Sequence, residues 1–102
     1  MKGKFVLIRT INAGVHFGTF VEYTTEDHKG VLLYNARRLW QWSGALSLSE
    51  VAMKGINIST SKIAECVDEI ELTQAIEIIP VSKKSNLPGN HEPIRKDVSV
   101  KI

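Results

Sequence analysis

The chain has 102 residues, of which 43% are hydrophobic and 24% charged, with a formal net charge of +2. This composition excludes wholesale disorder, and the length fits one domain rather than several. A net charge so small gives no argument for nucleic acid by itself, and a single cysteine, Cys66, excludes an intrachain disulfide and a cysteine-based zinc site.

The first residues are basic and then apolar, but Arg9 interrupts the run. It is too short for a secretory signal or a membrane span, so a soluble, unprocessed chain is expected. Phe5 to Ile11 reads as a strand with apolar residues on both faces, Phe5, Leu7 and Ile11 against Val6 and Ile8. Such a strand is central or covered. In so small a chain it also points to a homo-oligomer. Asn12-Ala13-Gly14 signals a turn.

Val15 to Tyr23 reads as the next strand, with Val15, Phe17, Val21 and Tyr23 on one face and His16, Gly18, Phe20 and Glu22 on the other. Gly18 inside it marks a bulge or the close approach of another backbone. Thr24 to Gly30 is a polar hairpin loop, and Val31 to Tyr34 returns as a third strand of an antiparallel meander. Asn35-Ala36 suggests a bend between two strands. Alternation then sets Arg38, Trp40 and Trp42 on one face and Arg37, Leu39 and Gln41 on the other, until Ser43-Gly44 breaks the strand.

Ser47-Leu48-Ser49-Glu50 is a capping box, followed by an apolar stripe of Leu48, Val51 and Ala52 and by Gly55 as a stop. It predicts one short helix at about 47–54. Ile56 to Ser61 is a polar connection. Lys62 to Leu72 is extended, with a slip in parity around Asp68-Glu69. Thr73-Gln74 is a turn, and Ala75 to Ile79 is a strand that Pro80 ends or places at an edge. From Ser82 onward Lys83, Lys84, Pro88-Gly89-Asn90 and Pro93 make a basic, turn-rich segment. Val98 and Val100 alternate there, as an edge strand or one exchanged between copies would.

The expected fold class is therefore α+β: a mainly antiparallel, twisted sheet or small barrel with one short helix. Residues 1–82 form the compact β-rich domain and residues 83–102 a C-terminal tail. Lys and Arg dominate residues 1–42 and 83–102, and Asp and Glu dominate 43–82. Unequal solvated faces or head-to-tail pairing of copies would both give that pattern.

The catalytic inventory is thin. His16, His28 and His91 lie far apart in sequence and form no zinc-type pair. Nucleotide-binding glycine loops and a nucleophile elbow are absent. Ser47 and Ser49 are explained as cap residues. Glu65, Asp68, Glu69 and Glu71 form an acidic cluster that is read as a solvated face rather than a magnesium site. No catalytic residue, metal or cofactor is expected.

The Arg-Trp stretch carries more chemistry. A guanidinium grips phosphate as a rigid fork, and an indole stacks on a base or a cation. Arg37, Arg38, Trp40 and Trp42, together with His16, form the candidate binding set for an anionic ligand, a nucleotide above all. The two arginines serve one ligand only if a bend at Asn35-Ala36 or a subunit interface re-aims one of them. The competing reading is a core strand whose tryptophans are covered by arginine stems.

Gly14-Val15-His16-Phe17-Gly18-Thr19, the block from Asn35 to Glu50, and Ala75 to Pro80 occur in this order in small proteins of tailed bacteriophages and prophages, which the chain resembles over about residues 6–82. The basic tail departs from that pattern. The resemblance implies a phage accessory protein of the host bacterial cytoplasm and brings no catalytic residue with it. The expected function is a non-enzymatic binder that sequesters an anionic small molecule such as a nucleotide signal of host defence. A nucleic-acid-binding accessory protein and an inhibitor of a host protein are the alternatives; no role at a membrane is expected.

Overall fold

The computed structural model describes residues 1–93. In chain order it forms β1 (Phe5–Thr10), β2 (Val15–Tyr23), β3 (Val31–Gln41), α1 (Leu48–Lys54), a 3-10 turn (Ile58–Thr60), β4 (Lys62–Ile63), β5 (Val67–Leu72) and β6 (Ala75–Pro80). All strand pairs are antiparallel. Across the sheet the order is β6-β1-β2-β3, and both β5 and β4 lie on the far side of β3. β5 runs along its first half and β4 along its end. The expected α+β class, a mainly antiparallel twisted sheet with one short helix, is what the chain adopts.

Only Thr73-Gln74 separate β5, on one side of the sheet, from β6 on the other. The sheet must therefore curl until those sides meet at this corner. Backbone bonds fix the meeting point: Ala75 N–H donates to the Lys29 carbonyl at 2.9 Å and Ile11 N–H to the Gln74 carbonyl at 3.1 Å.

Curling gives the sheet two buried faces. Inside lie Val6, Ile8, Phe20, Val31, Leu33, Ala36 and Leu72. Outside, Leu7, Phe17 and Leu39 pack against Val51 and Ala52 of α1, with Ile56 and Leu87. Val6, Leu7 and Ile8 are wholly buried, two facing inward and one outward, each contributing about 1.5–3 kcal/mol through apolar burial. The two-faced apolar pattern of β1 thus marks a central strand covered by its own chain. It needs no second copy to explain it.

The helix begins where the sequence predicts. Ser47 Oγ accepts from Glu50 N–H at 3.3 Å, and Gly55, at φ 92, ends the helix while its N–H donates to the Val51 carbonyl. The last carbonyls of a helix lack partners within it. Here Ser82 N–H donates to Ala52 O at 2.8 Å and Ser85 Oγ to Val51 O at 2.9 Å.

Those bonds draw residues past 82 into the packed unit. The Asn86 side chain accepts from Ile56 N–H at 2.8 Å and donates to Ile56 O at 2.7 Å. Leu87 is 2% exposed, and Asn90 Nδ2 donates to the carbonyls of Ser82 and Ser85. Packing therefore continues to Asn90, beyond the boundary expected at residue 82. The polar, turn-rich composition of the segment reflects side chains that bond to backbone, not a solvated tail. The strand expected around Val98 lies outside the described residues.

A second difference concerns the slip expected at Asp68-Glu69. β5 pairs with β3 in unbroken register from Leu72↔Val31 to Val67↔Ala36. The irregularity sits earlier. Ala36↔Val67 and Leu39↔Ile63 leave Arg37 and Arg38 facing Ala64, Glu65 and Cys66, one residue more.

Candidate functional site

β3 carries the candidate site, and a bulge aims it. Phe17↔Arg37 and Thr19↔Tyr34 leave Gly18 facing both Asn35 and Ala36. Asn35 adopts φ 52, a left-handed conformation that asparagine tolerates better than most residues. A Cβ on Gly18 would stand 3.0 Å from Ala36 Cα and 3.0 Å from the Tyr34 carbonyl oxygen. Glycine at 18 thus permits the close approach that the sequence anticipated. The bend at Asn35-Ala36 is a bulge within one strand instead of a break between two.

Past the bulge, Arg38 pairs with His16 and Arg37 with Phe17. His16 is 6% exposed, and its Nε2 lies 2.8 Å from the Ala13 carbonyl. A carbonyl only accepts, so Nε2 carries the proton and donates. Burial pushes the His16 pKa below its ordinary value. The Ala13 carbonyl partly opposes that shift and the Arg38 charge adds to it. The ring is accordingly neutral at pH 7, with Nδ1 left as an acceptor. Thr10 holds the turn that presents Ala13, donating from Oγ1 to the Gly14 carbonyl at 2.8 Å and accepting from Ala13 N–H at 2.9 Å.

The Arg38 guanidinium carbon lies 4.2 Å from the centre of the Trp40 ring. Gly14, at φ 80, also lies against it: a Cβ there would come within 2.9 Å of Arg38 Nε and Nη2. Among the described residues the Arg38 guanidinium makes no ion pair and no hydrogen bond. Trp40 is 58% exposed. A cation thus lies against both a glycine and an indole, with its donors unpaired among the described residues.

Three of the five candidate residues, His16, Arg38 and Trp40, come together here. Arg37 does not join them: its Nη1 donates to the Pro88 carbonyl at 3.0 Å and its Nη2 lies 4.0 Å from Glu92 Oε1. Strand alternation sends the two arginines to opposite faces, and the bulge does not bring them back. Trp42 is also redirected. The register slips between Leu39 and Gln41, β3 ends at Gln41, and Trp42 packs against the helix-side core.

The extra residue in Ala64-Glu65-Cys66 opens a cleft of about 220 Å³ beside Arg38. Ala36, Ala64, Val67 and Ile70 give it apolar walls, His16, Arg38 and Glu65 contribute polar groups, and Arg37, whose Nη1 is bonded to the Pro88 carbonyl, also borders it. Sequence reasoning had grouped Glu65 with Asp68, Glu69 and Glu71 and missed its place here. The available signal was the parity break, once located at 64–66. Among the described residues those carboxylates do not gather into a metal-binding group.

A larger hollow of about 340 Å³ lies near Lys4, Phe5, Pro80 and Lys83. It is the weaker candidate, since Lys83 Nζ already donates to the Asn90 carbonyl at 3.3 Å. No helix among the described residues is long and apolar enough to cross a membrane.

A family model described as a domain of unknown function, DUF6948, matches residues 3–87. The chain belongs to the DUF6948 family. No curated protein and no solved structure matches it. The DUF6948 region contains every strand among the described residues, α1 and the segment from Ser82 to Leu87 that bonds to the helix. Its end at Leu87 agrees with the packing better than a boundary at 82 does. His16, Arg38, Trp40 and Glu65 all fall within it.

Proposed function

We propose that this chain is a small, non-enzymatic accessory protein of a tailed bacteriophage or prophage. It binds and sequesters an anionic, planar small molecule in the host cytoplasm, most simply a nucleotide signal of host defence. The observation that carries the binding reading is the Arg38 guanidinium, stacked on an exposed Trp40 and unpaired among the described residues. A preorganised guanidinium fork meets a phosphate with little ordering left to do, and the apolar cleft beside it accepts a flat ring. His16 is held by a backbone carbonyl, an arrangement suited to lining a site rather than to moving protons. The phage context rests on the resemblance of the Asn35–Glu50 block.

Binding of single-stranded nucleic acid is a second reading, favoured by the exposure of Trp40, since an indole open to solvent can stack on successive bases. Protein purified from phage-infected cells, then denatured, should release an intact phosphorylated small molecule detectable by mass spectrometry. Release of a chemically altered product, or a steeply salt-dependent affinity for oligonucleotides with no small molecule bound, would replace this reading.

A further inference from the structure

Arg38 and Glu65 line the same cleft of about 220 Å³, yet they are not within ion-pair distance of each other. Glu65 is exposed, and its carboxylate, like the Arg38 guanidinium, has no hydrogen-bonding partner among the described residues. His16 adds a second acceptor. Its Nε2 is committed to Ala13, and its Nδ1 has no hydrogen-bond partner among the described residues. The walls between these groups, Ala36, Ala64, Val67 and Ile70, are apolar.

Such a cleft is not uniformly positive. It offers a cationic donor at Arg38, the other lining arginine, Arg37, being bonded to Pro88, together with acceptors at Glu65 and His16 and a surface for something flat and uncharged between them. A simple anion would use Arg38 but would be repelled by Glu65. A nucleotide resolves the conflict if its phosphate lies at Arg38 and its base turns N–H donors toward Glu65. The bases differ in what they turn. Guanine presents N1–H and the 2-amino group side by side, which match the two oxygens of one carboxylate. Adenine and cytosine place a ring acceptor beside their amino group, and that lone pair would face the carboxylate. Uracil flanks its single N3–H with two carbonyls. A carboxylate accepts only, so each misplaced acceptor is left without a partner.

We infer that the cleft selects a guanine nucleotide, with Glu65 accepting from the base edge and Arg38 donating to the phosphate. This rests on the nucleotide-binding reading and deepens it. Glu65 would be the specificity determinant, and Arg38 and Trp40 would provide affinity common to all nucleotides.

The test is calorimetric titration of the full chain with guanosine, inosine, adenosine and uridine monophosphates, for the wild type, Glu65→Gln and Arg38→Ala, with a thermal melt of each variant. Guanosine monophosphate should bind about ten- to a hundredfold more tightly than adenosine monophosphate, the range expected of hydrogen bonds to a charged group. Inosine monophosphate, which lacks the 2-amino group, should fall between them. Glu65→Gln should lose that margin, through weaker binding of guanosine monophosphate and tighter binding of adenosine monophosphate, with an unchanged melting temperature. Arg38→Ala should weaken all four alike. Equal binding of guanosine and adenosine monophosphates by the wild type overturns the guanine assignment and leaves nucleotide binding standing. A margin that survives Glu65→Gln overturns the role given to Glu65. The comparison of guanosine with inosine in the wild type decides the matter even if a variant fails to fold. Failure of all four to bind overturns both the assignment and the reading beneath it.

Discussion

Arg38 lies against Trp40 with its guanidinium carbon 4.2 Å from the ring centre, and Gly14 beside it has no Cβ to displace the guanidinium. A stacked, partly exposed pair of this kind contributes about 0.5–2 kcal/mol. Its larger consequence is orientation, since the planar fork is ordered before any ligand arrives. Gly14→Ala should push the guanidinium out of this position and strain a backbone at φ 80. The expected result is weaker nucleotide binding together with a lower denaturation midpoint, read by titration and by urea unfolding.

Gly18 and Ala36 set the bulge upstream. Gly18→Ala brings a Cβ to 3.0 Å from backbone atoms of Ala36 and Tyr34, which cannot swing aside as a flexible side chain would. A loss of about 1–3 kcal/mol is expected, the usual range for overpacking. An unchanged urea midpoint would show that β3 shifts its register freely.

The segment after β6 gives a third prediction. Leu87→Ala should destabilise the protein by about 2–5 kcal/mol, as for other buried leucines. A chain ended at residue 84 would lose the bonds from Ser85, Asn86 and Asn90 as well, and should show no cooperative thermal transition. Full stability of that truncation would restore the boundary at 82.

His16 links stability to pH. Its folded pKa is held below the ordinary 6.5, chiefly by burial. Below 6.5 the unfolded chain takes up the proton more readily than the folded one. The stability contributed by the neutral buried ring is therefore complete above 6.5 and is lost as pH falls toward the folded pKa. Melting temperatures of wild type and His16→Gln should converge with acidification through that window. A constant difference between them would contradict the assignment.

Much of this fold was legible because local signals agreed. Val15 to Tyr23, the Ser47 cap, Gly55 and the Pro80 terminus each specify their own element within a few residues. The site was legible in part. Alternation separated Arg37 from Arg38, but it also grouped Trp42 with Trp40. The register slip after Leu39 that parts them depends on pairing with β4, which no local pattern reports. Glu65 escaped for the same reason: its position follows from one extra residue opposite β3. The tail was misjudged because Ser85, Asn86 and Asn90 are polar, and polarity alone does not distinguish a solvated segment from one whose side chains bond to buried backbone.

Arg37 and Arg38 are adjacent in sequence and differ in role, so together they test the central claim most directly. Arg37 is bonded to Pro88, whereas the Arg38 guanidinium has no hydrogen-bond or ion-pair partner among the described residues. The measurement is nucleotide affinity by calorimetry for Arg37→Ala and Arg38→Ala, each with a thermal melt. Arg38→Ala should keep a cooperative melt, lowered by no more than the about 0.5–2 kcal/mol of the lost stack, and lose about 1.5–3 kcal/mol of binding, the value of a charge-assisted hydrogen bond. Arg37→Ala should melt lower and bind nearly as the wild type does. Wild-type affinity in Arg38→Ala would contradict the account, because the Arg38–Trp40 stack would then be only the cover of a core strand.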